Sequence, residues 1–277
     1  MGFGYGLNIA GLRFCVSSPF PVRLPECFAP FVTAQEHPQE PDVTFSVRIG
    51  TPERRTGCAV REYRLSRGRG IFRLEPEGAP EHIELFIPPD FQTEFAEDAN
   101  WLLYLALERP LLRFGRIIMH ASAVVYEGRA YVFTAPSGGG KSTQAAIWEK
   151  YMHAGVMNGD KVILHADAAG LTAYGGPIAG SSGICKSVSA PVAAIVQLEK
   201  GDKNEITPLT SRESYLLVYG EAVKSDWDTD FNRRLLQIAA DYPQRARYVR
   251  MNCTADRSAA ECLLQYFSKK ESRIITR

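Results

Sequence analysis

Apolar and polar positions change their spacing twice along this chain. Up to residue 92 they alternate in short runs. Leu7–Val16, Val43–Ile49, Arg61–Leu65, Gly70–Leu74 and His82–Ile87 show the two-residue period or the β-branched and aromatic enrichment of strands. Pro, Gly and charged clusters separate them, and Ala34-Gln-Glu-His-Pro-Gln-Glu-Pro-Asp42 reads as a loop. Between 93 and 115 the period lengthens. Phe95, Leu102, Leu103, Leu105, Ala106 and Leu112 suit one face of a helix that Pro110 bends or breaks. After Gly115 strand and helix patterns alternate. Ile117–Tyr126 and Arg129–Thr134 read as a hairpin turning at Glu127-Gly128, and Ser142–His153 as a helix with Gly155 as its stop. Strands are predicted at Lys161–His165, Leu171–Tyr174, Val192–Leu198 and Arg247–Asn252, and helices at 211–223, 230–241 and 256–268. This order predicts a β-rich N-terminal lobe over 1–92 and an α/β core over 93–277.

The chain has 277 residues, of which 45% are apolar and 23% charged, the balance of a water-soluble globular protein. A net charge of +1 gives no broad basic surface, so nucleic acid is not an expected partner. Arg54-Arg55 and Lys269-Lys270 read as solvated faces. No apolar run approaches the ~18 residues needed to span a bilayer, and the N-terminus lacks the basic-then-apolar layout of a secretion signal. No membrane association is expected, and the cytoplasm is the expected compartment. The six cysteines (15, 27, 58, 185, 253 and 262) are scattered with no Cys-x-x-Cys pair, so neither disulfides nor a zinc site is predicted. Cys185, in a polar glycine-rich stretch, is the thiol to watch for reactivity.

The strongest chemical signal lies at 131–144, Tyr-Val-Phe-Thr-Ala-Pro-Ser-Gly-Gly-Gly-Lys-Ser-Thr-Gln. The interval from Ala135 to Gly140, Lys141 and Ser142 fits the phosphate-loop pattern [Ala/Gly]-x-x-x-x-Gly-Lys-[Ser/Thr] between a strand and a helix. Gly138, Gly139 and Gly140 let the backbone turn N–H groups onto phosphate oxygens. The helix beginning at Lys141 adds unpaired N–H groups and the positive end of its dipole. Lys141, read as a solvent-facing cation, is placed to reach the β- and γ-phosphates, and the Ser142 hydroxyl to ligate Mg²⁺. Ser137 and Thr143 complete the nucleotide-binding stretch 137–143.

Asp160 follows the loop helix and precedes a strand, a place from which a carboxylate can orient a metal or accept a proton at the same phosphates. His120 lies in the apolar run Ile-Ile-Met-His-Ala-Ser-Ala, expected to run beside the phosphate-loop strand. On its own it reads as a structural residue. His37 and His82 read as surface residues, and His153 and His165 carry no expected chemistry. Ser181, Ser182 and Lys186 stand in a glycine-rich segment that could contact an acceptor or a phosphate, or be an ordinary surface loop.

His120, the hairpin Val124–Phe133, the loop Ala135-Pro-Ser-Gly-Gly-Gly-Lys-Ser142 and Asp160 together resemble the catalytic core of the HPr serine kinase/phosphorylase group. The runs Gly175–Lys186 and Ala190–Leu198 resemble the smaller HPr kinase-like relatives, some of which phosphorylate serine on modified-peptide precursors. The resemblance covers about 117–268. It implies a phosphoenolpyruvate-carboxykinase-like P-loop core carrying the N-terminal β-rich lobe. It also implies Lys141 on the phosphates, Ser142 and Asp160 at Mg²⁺, Asp160 as base for the acceptor hydroxyl, and His120 beside the γ-phosphate. Gly159 stands where the bifunctional enzymes carry the first of two aspartates, and the Glu-x-Arg-Gly signature of true HPr enzymes is absent downstream.

The expected function is thus an ATP-dependent, Mg²⁺-requiring kinase acting on a serine-type hydroxyl of a protein or peptide. Two alternatives stay open, a small-molecule hydroxyl kinase and a regulatory module that binds nucleotide without transferring phosphate. Assembly into a homo-oligomer is left open as well.

Overall fold

Phe45, Phe95, Trp101 and Tyr104 form an aromatic cluster that decides where the chain divides, with Trp101 5.8 Å from Phe45 and 5.0 Å from Phe95 between ring centroids. The computed structural model describes residues 2–34, 40–53, 56–64, 70–98 and 100–275. His37, Arg54, Arg55, Leu65 and most of the expected 34–42 loop lie outside them, as do the side chains of Ser181, Lys269 and Lys270. Two compact units result, Met1–Phe114 and Gly115–Arg277. Residues 93–114, expected with the α/β core, lie elsewhere. Those residues belong to the first unit, because Phe95, Trp101 and Tyr104 are buried against its sheet.

In the first unit the strands are β1 (Phe3–Ile9), β2 (Leu12–Ser18), β3 (Val43–Ile49), β4 (Cys58–Arg64), β5 (Gly70–Pro76) and β6 (His82–Ile87). They form one sheet in the order β1-β2-β3-β6-β5-β4, with β3 parallel to both β2 and β6. The run expected as one strand over Leu7–Val16 is a hairpin, since Ala10 and Gly11 both have positive φ (52° and 76°), the requirement of a tight two-residue turn. The expected long helix at 93–115 is three short ones, α1 (Gln92–Phe95), α2 (Trp101–Leu105) and α3 (Glu108–Arg113). Ala106, at φ 43°, ends α2, and Leu103 is exposed rather than on a buried stripe.

The second unit holds β7 (Arg116–His120), β8 (Ser122–Tyr126), β9 (Arg129–Thr134), β10 (Gly155–Asn158), β11 (Lys161–Asp167), β12 (Gly170–Tyr174), β13 (Ser189–Lys200), β14 (Glu205–Pro208) and β15 (Arg247–Cys253). Its helices are α4 (Lys141–Met152), α5 (Ser211–Glu221), α6 (Thr229–Ala239) and α7 (Arg257–Ile275). The sheet path is β10-β8-β9-β13-β12-β11-β7, and β15 pairs β13 and β14. β13 meets β12 through residues 189–191 and runs parallel to β9 and to β15, its pairing with β9 shifting register between Val192 and Ala194. Val124, Phe133, Trp148, Ala194, Val196, Ala259 and Leu263 fill the core under α4 and α7. The Glu127-Gly128 turn forms as expected, both residues at positive φ (49° and 73°). The run 117–126 breaks at Ala121 into β7, which ends the sheet path, and β8, which lies one strand in from its other end. His120 is therefore not on a strand next to the phosphate-loop strand. Its strand pairs β11 instead. α4 stops at His153, which takes the left-handed conformation (φ 56°), so Gly155 opens β10 rather than ending the helix.

Candidate functional site

β9 ends at Thr134, the chain turns through 135–140, and α4 begins at Lys141, so the strand–turn–helix context required by the loop pattern is present. Gly138 and Gly140 lie at φ 72° and 102°, conformations that residues with a Cβ rarely adopt. At Gly139 the constraint is space. A Cβ there would come within 2.6 Å of the Ala135 Cβ and 2.9 Å of the Pro136 carbonyl oxygen. Gly140 caps α4 without a side-chain acceptor, which leaves first-turn N–H groups for an anion. The Gly139 N–H is used differently from the expectation, donating to the Pro136 carbonyl oxygen at 2.9 Å.

Lys141 is buried rather than solvent-facing. Its Nζ donates to the Ala135 carbonyl oxygen at 2.7 Å and reaches that of Pro136 at 3.5 Å. Two buried side chains anchor the start of α4. Ser122 Oγ on β8 donates to the Lys141 carbonyl oxygen at 2.9 Å, and Gln144 Nε2 donates to that of Thr254 at 3.2 Å. Ser137, Ser142 and Thr143 are exposed.

Asp160 and His120 meet. His120 Nε2 lies 3.0 Å from Asp160 Oδ1, while the Lys161 ammonium donates to Asp160 Oδ2 at 2.7 Å. Residues adjacent in a strand would point to opposite faces, but Asp160 sits just before β11. The buried Asn158 turns the chain there, its Oδ1 accepting the N–H groups of Asp160 (2.8 Å) and Lys161 (2.9 Å). Lys161 is directly opposite His120 in the β11–β7 pair, so both side chains stand on one face. Thr134, fully buried at the end of β9, donates its hydroxyl to the His120 carbonyl oxygen at 3.2 Å, and the Ala121 N–H donates to the Asp160 carbonyl oxygen at 3.0 Å. The first bond ties His120 to the strand that enters the phosphate loop, and the second ties Asp160 to the residue that follows His120.

Burial pushes the Asp160 carboxyl up. The hydrogen bond and charge of Lys161, helped by His120, outweigh it and leave the group below the usual aspartate range. Asp160 is therefore an ionised carboxylate at neutral pH, able to accept a proton or a cation. Segment 175–186 lies against the same turn. Asn158 Nδ2 donates to the carbonyl oxygens of Gly176 and Ile178, both at 3.0 Å, and Asn158 pairs Cys185 in an isolated bridge. Ser182 is half-buried, its hydroxyl donating to the Ala179 carbonyl oxygen at 2.7 Å, and Lys186 is exposed. Burial raises the Cys185 thiol, which makes thiolate scarcer and the expected reactivity poorer. None of the six cysteines is in a disulfide among the described residues.

The residues fit a nucleotide with Mg²⁺. The loop leaves no room for a side chain at Gly139, and Ser142 and Asp160 offer the hard oxygen ligands that Mg²⁺ takes in small number beside water and phosphate. Among the described residues no group of three or more His, Cys, Asp or Glu could hold a metal by itself. No described helix is long and apolar enough to cross a membrane.

No protein-family model matches the chain, and no curated protein matches it in sequence. Among solved structures it is similar to the HPr(Ser) kinase/phosphatase from Coxiella burnetii, at 12% identity and a TM-score of 0.34, over 56% of this chain and 98% of that one. A likeness at that TM-score carries no argument about fold or activity, so the functional reading rests on the residues of the site.

Proposed function

We propose that the chain is a P-loop kinase transferring the γ-phosphoryl group of ATP to a serine-type hydroxyl on a protein or peptide. The observation that carries this reading is the convergence of Asp160 and His120 on the strand end that opens the glycine loop, through Thr134. Phosphoryl transfer requires positioning and charge neutralisation more than covalent help from the protein. Gly138 and Gly140 shape the loop, the first-turn N–H groups of α4 face the phosphates, and Lys141 adds its charge when it leaves the Ala135 carbonyl. Mg²⁺, held by Ser142 and Asp160, would neutralise charge on the phosphate oxygens. Asp160 accepts the proton of the acceptor hydroxyl, and His120 is held against it beside the γ-phosphate. Segment 175–186, lapping the turn before Asp160, gives the acceptor a place to approach.

Incubation with labelled ATP and a cell lysate, resolved into protein and small-molecule fractions, tests the reading. Label in protein supports it, and label confined to small molecules points to the small-molecule kinase. Tight Mg·ATP binding with no transfer points to the regulatory module. Lys141→Ala should lose about 2–4 kcal/mol of transition-state stabilisation. If Mg·ATP still raises the melting temperature of that variant as far as it raises wild type, the phosphate-loop assignment is wrong.

A further inference from the structure

Both oxygens of Asp160 are engaged, Oδ1 with His120 and Oδ2 with Lys161. A carboxylate so occupied keeps spare lone pairs, but it opens fully to a cation or a hydroxyl proton when a partner is released. We propose that Lys161 is that partner and a second phosphate-binding cation, resting on Asp160 here and moving to the terminal phosphate when a nucleoside triphosphate binds. The inference rests on the phosphate-loop reading and adds to it a residue that discriminates triphosphate from diphosphate.

Four observations converge on it. Lys161 is half-buried, and its ammonium, with three N–H donors, is bonded to the neighbouring Asp160 carboxylate. Lys161 and Asp160 keep 28% and 23% of their side chains exposed, so water can solvate either charge while one anion is exchanged for another. Lys161 also stands on the same sheet face as His120, whose backbone is bonded to Thr134 at the entrance to the loop. A phosphate arriving on the loop therefore meets Lys161 on the side where Asp160 waits. Moreover, Lys141 spends donors on two loop carbonyls, so one lysine alone is a thin counter-charge for a terminal phosphate. Finally, the movement is self-consistent in charge. As Lys161 leaves Oδ2, that oxygen becomes free for Mg²⁺ or a proton, at the moment the phosphate brings both negative charge and metal. A residue that reported only the presence of any nucleotide would not need this placement, since the β-phosphate is already served by the loop amides.

The test compares dissociation constants of Mg·ADP and of the Mg²⁺ complex of β,γ-imido-ATP for the full-length wild type, Lys161→Met, Lys161→Gln and Lys161→Arg. Wild type should prefer the triphosphate analogue. In the Met and Gln variants that preference should shrink by roughly tenfold or more, with Mg·ADP affinity changed by less than about twofold, and Arg should retain most of it. Two neutral variants guard against one failing to fold. A preference unchanged in Met or Gln, or absent in wild type, overturns the proposal and leaves Lys161 as a counter-ion of Asp160. Should wild type bind neither nucleotide, the phosphate-loop reading itself falls, and this inference with it. Lys141→Ala marks the difference between the two failures, because it should weaken the diphosphate and the triphosphate analogue alike.

Discussion

Gly159 shows how one residue shapes the chemistry open to its neighbours. A Cβ at this position would lie 2.1 Å from the Ser182 hydroxyl oxygen and 2.6 Å from the Ser182 Cβ. A second aspartate before Asp160 would therefore force Ser182 to shift, and the next residue on the other side is the cation Lys161. Gly159→Asp should destabilise the protein by about 1–3 kcal/mol, and adding Ser182→Gly should recover at least half of the loss. Urea denaturation of the two single variants and the double variant checks this, and a neutral Gly159→Asp would mean the segment yields without cost. His165 carries a pH prediction. Burial, aided by the Arg116 charge and opposed by Asp167, lowers its pKa in the folded protein. The unfolded chain then binds the proton more readily, so this contribution to stability is present above the unfolded value near ~6.5 and fades as pH falls through the lower folded value. His165→Gln removes the titration, so the stability of wild type relative to this variant should be greater at pH 7.5 than at pH 5. An unchanged difference in urea midpoint between those two conditions would refute it. The loop residues 135–142 were legible in the sequence because their chemistry is local, a spacing within eight residues. Lys161, Asn158 and Thr134 were not, since their roles come from strand register and tertiary hydrogen bonds, and a lysine opening a strand reads by default as solvated.

Elements were most legible where one pattern met one environment. The alternation in Val43–Ile49 and His82–Ile87 gives β3 and β6 with the bounds expected; β6 buries every second residue, and β3 does so up to Val47, leaving Ile49 exposed. Where a turn hid inside an apolar run, pattern alone failed. Ala10-Gly11 folds the expected single strand back on itself, and Ala121 splits another into β7 and β8. β10, four residues long and starting at a glycine, carries too little sequence to show a period. The turn between β9 and α4 invites a direct test of its close packing. Gly139→Ala drives a methyl group against Ala135 and a backbone carbonyl, neither of which is a flexible tip that can swing away. The loop must shift, and a displacement of this size at a phosphate cradle should weaken Mg·ATP binding by at least about tenfold while the helix content stays intact. Titration calorimetry with circular dichroism on the same sample checks both halves, and wild-type affinity would show that the loop does not grip phosphate in this conformation.

At the scale of the whole molecule, each compact unit has a sheet and a core of its own, and charge is treated differently in each. In the second unit Asp160, Lys161 and the imidazole of His120 remain partly exposed where they can exchange partners, while Lys141 is buried against loop carbonyls. In the first, Arg73, Glu75 and Arg109 are sealed in the interior, at 1%, 2% and 5% exposure, with Glu75 accepting from both arginines and Arg73 Nε donating to the Tyr104 carbonyl oxygen. Such a cluster fixes how α2 and α3 sit on the sheet, and it is vulnerable at its centre. Glu75→Ala takes the one carboxylate from between two buried guanidinium groups and should cost about 3–5 kcal/mol, far more than a surface charge change. Replacing all three by Met and Leu side chains of similar volume removes the charges together and should cost less than the single substitution. Neither change touches the glycine loop. Calorimetry with and without Mg·ATP therefore separates the effects: Glu75→Ala lowers the unfolding temperature of the first unit, while the ligand-dependent rise and the affinity for Mg·ATP stay as in wild type. A Glu75→Ala protein that keeps its full stability would show that the buried carboxylate is not what holds the arginines. One that is stable but loses its response to Mg·ATP would overturn the assignment of nucleotide binding to the second unit alone.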